Sequence, residues 1–193
     1  MIDRGIERRS SVALFAVLAA VFAALFANPA SAHFLDGFDA FRAGDYCEAK
    51  EAWLKSEKAG DSSSAFGLGE LYARGLCVTE NQRLASRWYL TAALRGNSRA
   101  RAEVGVRYAY GKGVEPNAFK AYVWLSAAKM SASGWDTDFA AKADTNRRMI
   151  AALLTPEERQ RAAVIMAQFS KKWALPREFN SLDSVESPKS PRQ

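Results

Sequence analysis

Few residues in this chain are equipped for covalent or metal chemistry. Its 193 residues include one histidine, His33, and two cysteines, Cys47 and Cys77. A Ser-His-Asp relay needs a histidine beside its serine. Ser62-Ser63-Ser64 reads instead as the turn and N-cap ahead of a helix. An N-terminal histidine can chelate copper, but such a site needs a second histidine that the sequence lacks. Glu157 and Glu158 follow Thr155-Pro156 as in a capped first helical turn. Their carboxylates there complement the helix dipole. Cys47 and Cys77 do not form a Cys-x-x-Cys pair, so thiol redox catalysis has little support. No cofactor or metal is expected. Two cysteines in an oxidising compartment allow one disulfide; two buried thiols are the alternative.

The first 32 residues have the form of an export signal. Arg4, Arg8 and Arg9 precede an apolar run from Val12 to Ala27, and Ala30-Ser31-Ala32 has the small-x-small form of a cleavage site. The run is shorter than the roughly 20 residues that cross a bilayer. Cleavage is predicted after Ala32, which would make His33 the mature N-terminus and place the protein in the periplasm or outside the cell. The membrane would be met only through the uncleaved signal. Removal of the signal lowers the formal charge from +6 to +5. This modest basic excess favours acidic partners or anionic surfaces, and without a Lys/Arg block it does not suggest nucleic acid.

The strongest pattern is a repeat of 36 residues. Gly69, Tyr72 and Gly75 return as Gly105, Tyr108 and Gly111. Val78/Val114, Asn81/Asn117, Ala85/Ala121, Trp88/Trp124 and Ala92/Ala128 keep the same offset. A period in this range indicates a solenoid, and solenoids bind other proteins more often than they do chemistry. Each repeat reads as a helix pair: Ser63–Arg74 with Gln82–Arg95, then Arg99–Tyr110 with Pro116–Met130. Gly75 and Gly111 end the leading helices. Gly69 and Gly105 allow close helix contact, Ala85, Ala92, Ala121 and Ala128 extend it, and Tyr72, Trp88, Tyr108 and Trp124 fill between layers. Cys47 and Cys77 lie about one period apart, so a disulfide would join adjacent layers.

Around this centre the organisation is looser. Residues 33–60 carry half of the pattern, with a short helix at Phe34–Phe41 and a second at Tyr46–Lys58. Residues 61–130 hold the two full repeats. Residues 131–175 are expected to form a C-terminal capping helix pair, Asp136–Leu154 and Pro156–Trp173. Their predicted inward faces are Phe139, Ala143, Met149, Ile150 and Leu153, then Ala163, Ile165, Met166, Phe169 and Trp173. Residues 176–193 read as a disordered tail.

The motif Leu68-Gly69-x-x-Tyr72-x-x-Gly75, then Ala85-x-x-Trp88-Tyr89-x-x-Ala92-Ala93-x-x-Gly96, resembles the Sel-one-like repeat of the tetratricopeptide-like class. Gly105-x-x-Tyr108-x-x-Gly111-x-Gly113-Val114, with Ala121-Tyr122-x-Trp124-Leu125-x-x-Ala128, is similar to it again. In the first copy Cys77 stands where the second has Gly113. The resemblance implies an all-α, α/α superhelical solenoid whose concave groove binds protein or peptide ligands, with no family-wide active site. With leading helices lining that groove, Glu70, Arg74, Arg107 and Tyr110 are the candidates to face a partner. The expected role is an exported, non-enzymatic adaptor or regulator in the bacterial envelope. The alternative is an envelope-associated structural protein touching anionic surfaces. A β-lactam-processing or other hydrolase ranks below both.

Overall fold

The computed structural model describes residues 29–132 and 137–182. The predicted leader, apart from its last four residues, and the tail beyond residue 182 lie outside them. Eight α-helices follow one another among the described residues: α1 Pro29–Ala43, α2 Tyr46–Lys58, α3 Ser62–Arg74, α4 Gln82–Leu94, α5 Ser98–Tyr110, α6 Ala118–Ser131, α7 Thr137–Ala151 and α8 Pro156–Lys172. A single 3-10 turn, Arg177–Phe179, comes after them. The pairs α1/α2, α3/α4 and α5/α6 form layers, and α2 on α3, α4 on α5 and α6 on α7 join the layers in sequence order. This nearest-neighbour packing is that of a solenoid.

The period sets the helix ends. Asp61 and Asn97, one repeat apart, cap α3 and α5 by accepting from the Ser64 and Ala100 amides. Asn81 and Asn117 do the same for α4 and α6, through Leu84 and Lys120. Each cap satisfies an amide that the first helical turn leaves unpaired. Gly75 and Gly111 close the leading helices in left-handed backbone. Two local expectations shift. Asp61, not the serine run, caps α3. Pro116 precedes the Asn117 cap and is not the first helical residue.

Small residues bring the helices together and large ones fill the remaining space. Ala49, Ala65, Ala85, Ala92, Ala93, Ala100, Ala121 and Ala128 are fully buried. A Cβ on Gly69 would stand 2.8 Å from the Tyr89 ring, and one on Gly105 would stand 2.7 Å from Leu125 Cγ. Tyr89 and Leu125 are themselves one repeat apart, so the same close helix contact recurs. Tyr108 and Trp124 are buried, while Tyr72 and Trp88 are half-buried. Trp88 packs against the cores of both the first and the later layers.

Both C-terminal helices, α7 and α8, pack on α6, the last helix of the two repeats. The Thr155–Glu158 capping box and the first-turn proline start α8 as the sequence indicates. Its buried face is Ala162, Ile165 and Phe169. Ala163 is exposed, and Trp173 ends the helix in left-handed backbone at 55% exposure. On α7, Ala143 is buried and Met149 faces solvent, as does Leu153 in the turn that follows. Residues 177–182, expected as part of the tail, pack on the core. Phe179 is fully buried, set edge-on to Trp124 and tilted against Phe119. Leu175 and Leu182 pack on the same core.

Candidate functional site

One concavity of the described chain is a groove of about 660 Å³ walled by α1, α3 and the start of α5. Phe34, Phe38 and Phe41 line it from one face of α1, with Trp53 behind them. Ser62, Phe66, Glu70 and Arg74 line it from α3, and Arg99 from α5. The floor is fixed by close packing. A Cβ on Gly37 or Gly67 would meet the Trp53 ring at 2.5 and 2.7 Å. The Trp53 indole N–H donates to the Phe34 carbonyl at 3.4 Å. Phe38 remains 43% exposed, and Phe34, Phe41 and Phe66 are half-buried. The sequence analysis missed these aromatic residues. Their signal was the 34, 38, 41 spacing, which puts all three on one helical face.

The four predicted groove residues separate. Glu70 and Arg74 line the groove. Arg74 is exposed, with its guanidinium 6.0 Å from the centre of the Phe41 ring. Glu70 accepts a hydrogen bond from the Tyr89 hydroxyl. Tyr110 is 63% exposed but is not among the residues lining the groove. Arg107 corrects the expectation, being buried at 4% exposure. Its Nη1 donates to the Gln82 carbonyl and Oε1, the Ser86 Oγ and the Lys112 carbonyl, all at 3.1–3.2 Å. Its guanidinium lies 4.6 Å from the centre of the Tyr89 ring. Arg107 is thus a bolt between layers.

Electrostatics around this bolt are those of a buried cluster. Burial, and then the neighbouring Glu70, push the Glu103 carboxyl above its usual range, against the opposing pull of Arg107 and Lys112. Burial, and then Glu70, also raise the Tyr89 phenol, so Tyr89 stays a neutral donor.

Cys47 and Cys77 are joined by a disulfide, with Cα atoms 5.1 Å apart. It links the first turn of α2 to the α3–α4 turn. The sequence reading discounts a β-lactam-processing enzyme for want of a Ser-x-x-Lys spacing, and this is corrected: Ser126 to Lys129 has that spacing, on α6. Ser126 is buried and donates to the Tyr122 carbonyl at 2.7 Å, and Lys129 pairs with Asp144 at 2.8 Å. Both side chains are engaged in holding helices. No group of three or more His, Cys, Asp or Glu among the described residues could hold a metal.

The comparisons fall on the same layers. The Sel1 repeat family matches residues 62–97 and 98–132, which are α3/α4 and α5/α6 with their turns. The chain carries two Sel1 repeats. A protective antigen of uropathogenic Escherichia coli strains, which displays an SLR fold, superposes with a TM-score of 0.65 at 25% identity. That match covers 83% of this chain and 35% of the antigen. A Sel1 repeat protein from Oxalobacter formigenes superposes with a TM-score of 0.53 at 27% identity, covering 58% of this chain and 44% of that one. The chain therefore spans less than half the length of either protein. No curated protein matches the sequence. Sel1 repeats commonly mediate protein–protein interaction, and SLR-fold proteins are typically non-catalytic scaffolds.

Proposed function

We propose that this chain is an exported binding module that holds a segment of another protein in the groove between α1 and α3. The observation that carries the reading is the set of aromatic rings left partly open to water there. Phe38 is 43% exposed beside half-buried Phe34, Phe41 and Phe66. Partly exposed apolar patches of this kind mark contact sites, and aromatic residues with arginine dominate binding energy. Export is part of the reading. The leader has the form of a secretory signal, and a disulfide persists in an oxidising compartment. No helix among the described residues is long and apolar enough to cross a membrane. The role that follows is that of an envelope adaptor or regulator.

Photo-crosslinking from position 38 in the native envelope tests the reading, with position 153 on exposed Leu153 as the control. One protein captured from position 38 alone supports groove binding. Equal capture from both positions, or none from position 38, overturns it.

A further inference from the structure

Arg101, on α5, is a buried cation without a counter-charge, at 5% exposure. Among the described residues its side chain makes one hydrogen bond, from Nε to the Ala93 carbonyl at 3.2 Å, and no ion pair. Its guanidinium lies 5.0 Å from the centre of the Phe169 ring. Burial alone pulls its pKa down, with no carboxylate acting against it. A buried charge is costly unless something pairs with it. The repeat does not ask for a cation here, because one period earlier the same position is the fully buried Ala65.

This charge faces a cavity of about 210 Å³, set between α4, α5, α6, α8 and the segment that follows α8. Arg101 lines it, and so do Ala93 and Phe169, the two residues its guanidinium touches. Trp124, Trp173 and Leu175 give it apolar walls, and Asn180 is its other polar side chain. The Trp124 indole N–H is buried and has no hydrogen-bond partner among the described residues. Trp173 and Asn180 are exposed, so the cavity opens to solvent on their side. Trp173 holds left-handed backbone at φ 53°, which is strained for a bulky residue, and sets its ring edge-on to Phe169 at 5.5 Å. A cavity of about 150 Å³ holds benzene. This one therefore has room for one ring with a short arm.

We propose that this cavity is a binding site for a small monocarboxylate with an apolar body the size of one ring. Ala93 holds Nε, so the two terminal nitrogens of Arg101 are the donors, and their fork fits the two carboxylate oxygens. The Phe169 ring lies against the guanidinium and leaves those donors open. Trp124, Trp173 and Leu175 enclose the apolar body. A dianion such as a phosphate monoester suits the site less, because one buried cation balances one charge. The cavity shares no lining residue with the groove, so this inference stands apart from the groove-binding reading.

The test is calorimetric titration of the purified protein with phenylacetate, phenylacetamide and phenyl phosphate. Phenylacetate should bind about tenfold tighter than either of the others. Arg101→Met should reduce phenylacetate to the level of the amide. That variant should melt at or above the wild-type temperature, since an apolar side chain of similar volume removes the unpaired charge. Equal binding of acid and amide by the wild type overturns the proposal whatever the variant's stability, as does tighter binding of phenyl phosphate. Full phenylacetate binding by Arg101→Met overturns it too. Asp183 and Glu186 follow the described residues and are the chain's own candidates for the counter-charge. Binding that appears only with Asp183→Asn and Glu186→Gln would give the cavity to the chain's tail and overturn an outside ligand. Binding to neither protein has the same consequence.

Discussion

Cys77 and Gly113 hold the same turn position one repeat apart, and both take left-handed backbone, at φ 56° and 73°. The two turns make the same interlayer contact by different chemistry. A Cβ on Gly113 would stand 2.2 Å from the Gln82 carbonyl oxygen and 2.6 Å from the Arg83 amide. One repeat earlier, the position equivalent to Arg83 is Cys47, and the Cβ of Cys77 carries the disulfide to it. In the later layer Arg107, Gln82, Ser86 and Lys112 bolt the turn to the helix start by hydrogen bonds. In the earlier layer Leu71 stands in place of Arg107, and the covalent bond replaces the polar network.

This equivalence predicts how the first turn tolerates change. Loss of the disulfide through Cys47→Ala should cost about 3 kcal/mol. In that background Cys77→Gly should exceed Cys77→Ala in stability by about 1 kcal/mol, because only glycine takes left-handed backbone without a Cβ penalty. Urea midpoints under oxidising conditions provide the comparison. Equal midpoints would show that the turn no longer holds its left-handed form.

The two arginines expected to face the groove should respond in different ways. Arg107→Ala leaves the Gln82 and Lys112 carbonyls without their cationic donor and opens a hole against Tyr89. It should cost about 3 kcal/mol or more. Arg74→Ala, at an exposed ring contact, should cost under about 1 kcal/mol. Thermal melts of both variants measure this. A large loss from Arg74 would make it a structural residue.

The buried acid makes stability depend on pH. Glu103 has a raised pKa in the folded state, caused first by burial and then by Glu70. The folded protein therefore holds this proton more tightly than the unfolded chain does. The resulting stabilisation is fully present below the ordinary carboxylate range. It is lost as pH rises from there through the folded value. Glu103→Gln should thus gain stability over the wild type as pH rises from 4 to 8, and the gain should vanish at the acidic end. Urea titrations across that range read the difference directly. A gain that stays constant with pH would mean that Glu103 titrates as it does in the unfolded chain.

Much of this arrangement was legible because the repeat constrains backbone and packing together. Left-handed turns favour glycine, caps favour Asn or Asp, and close helix pairs favour Gly or Ala, so Gly75, Asn81, Gly69 and Ala85 announce their roles. Arg107 was misplaced because polarity was read locally. The 36-residue register pairs it with Leu71, a buried position, and that pairing was the available signal. Arg74 corresponds instead to Tyr110, which is likewise exposed. Three of the groove aromatics, Phe34, Phe38 and Phe41, stand on α1, outside the two full copies, where the register offers no guide. They follow closely on the apolar leader, whose composition hides a binding face. The docked segment after α8 has no counterpart in either repeat, and its serine- and charge-rich surroundings mask its fully buried residue.

That residue, Phe179, supplies the last prediction. Its ring is buried among Trp124, Phe119 and the face of α8, and the Tyr108 hydroxyl donates to the Ser181 carbonyl just beyond it at 3.5 Å. Arg161 grips Glu178 through two contacts of 2.9 and 3.0 Å, but both partners are about half exposed. Exposed pairs contribute little, and a filled aromatic site contributes much. Phe179→Ala should therefore destabilise the protein by about 3 kcal/mol, and Glu178→Ala by less than about 1 kcal/mol. Ending the chain at Pro176 should cost at least as much as Phe179→Ala. If neither change moves the urea midpoint, the segment does not hold α8 against α6, and the stack is closed by the helices alone.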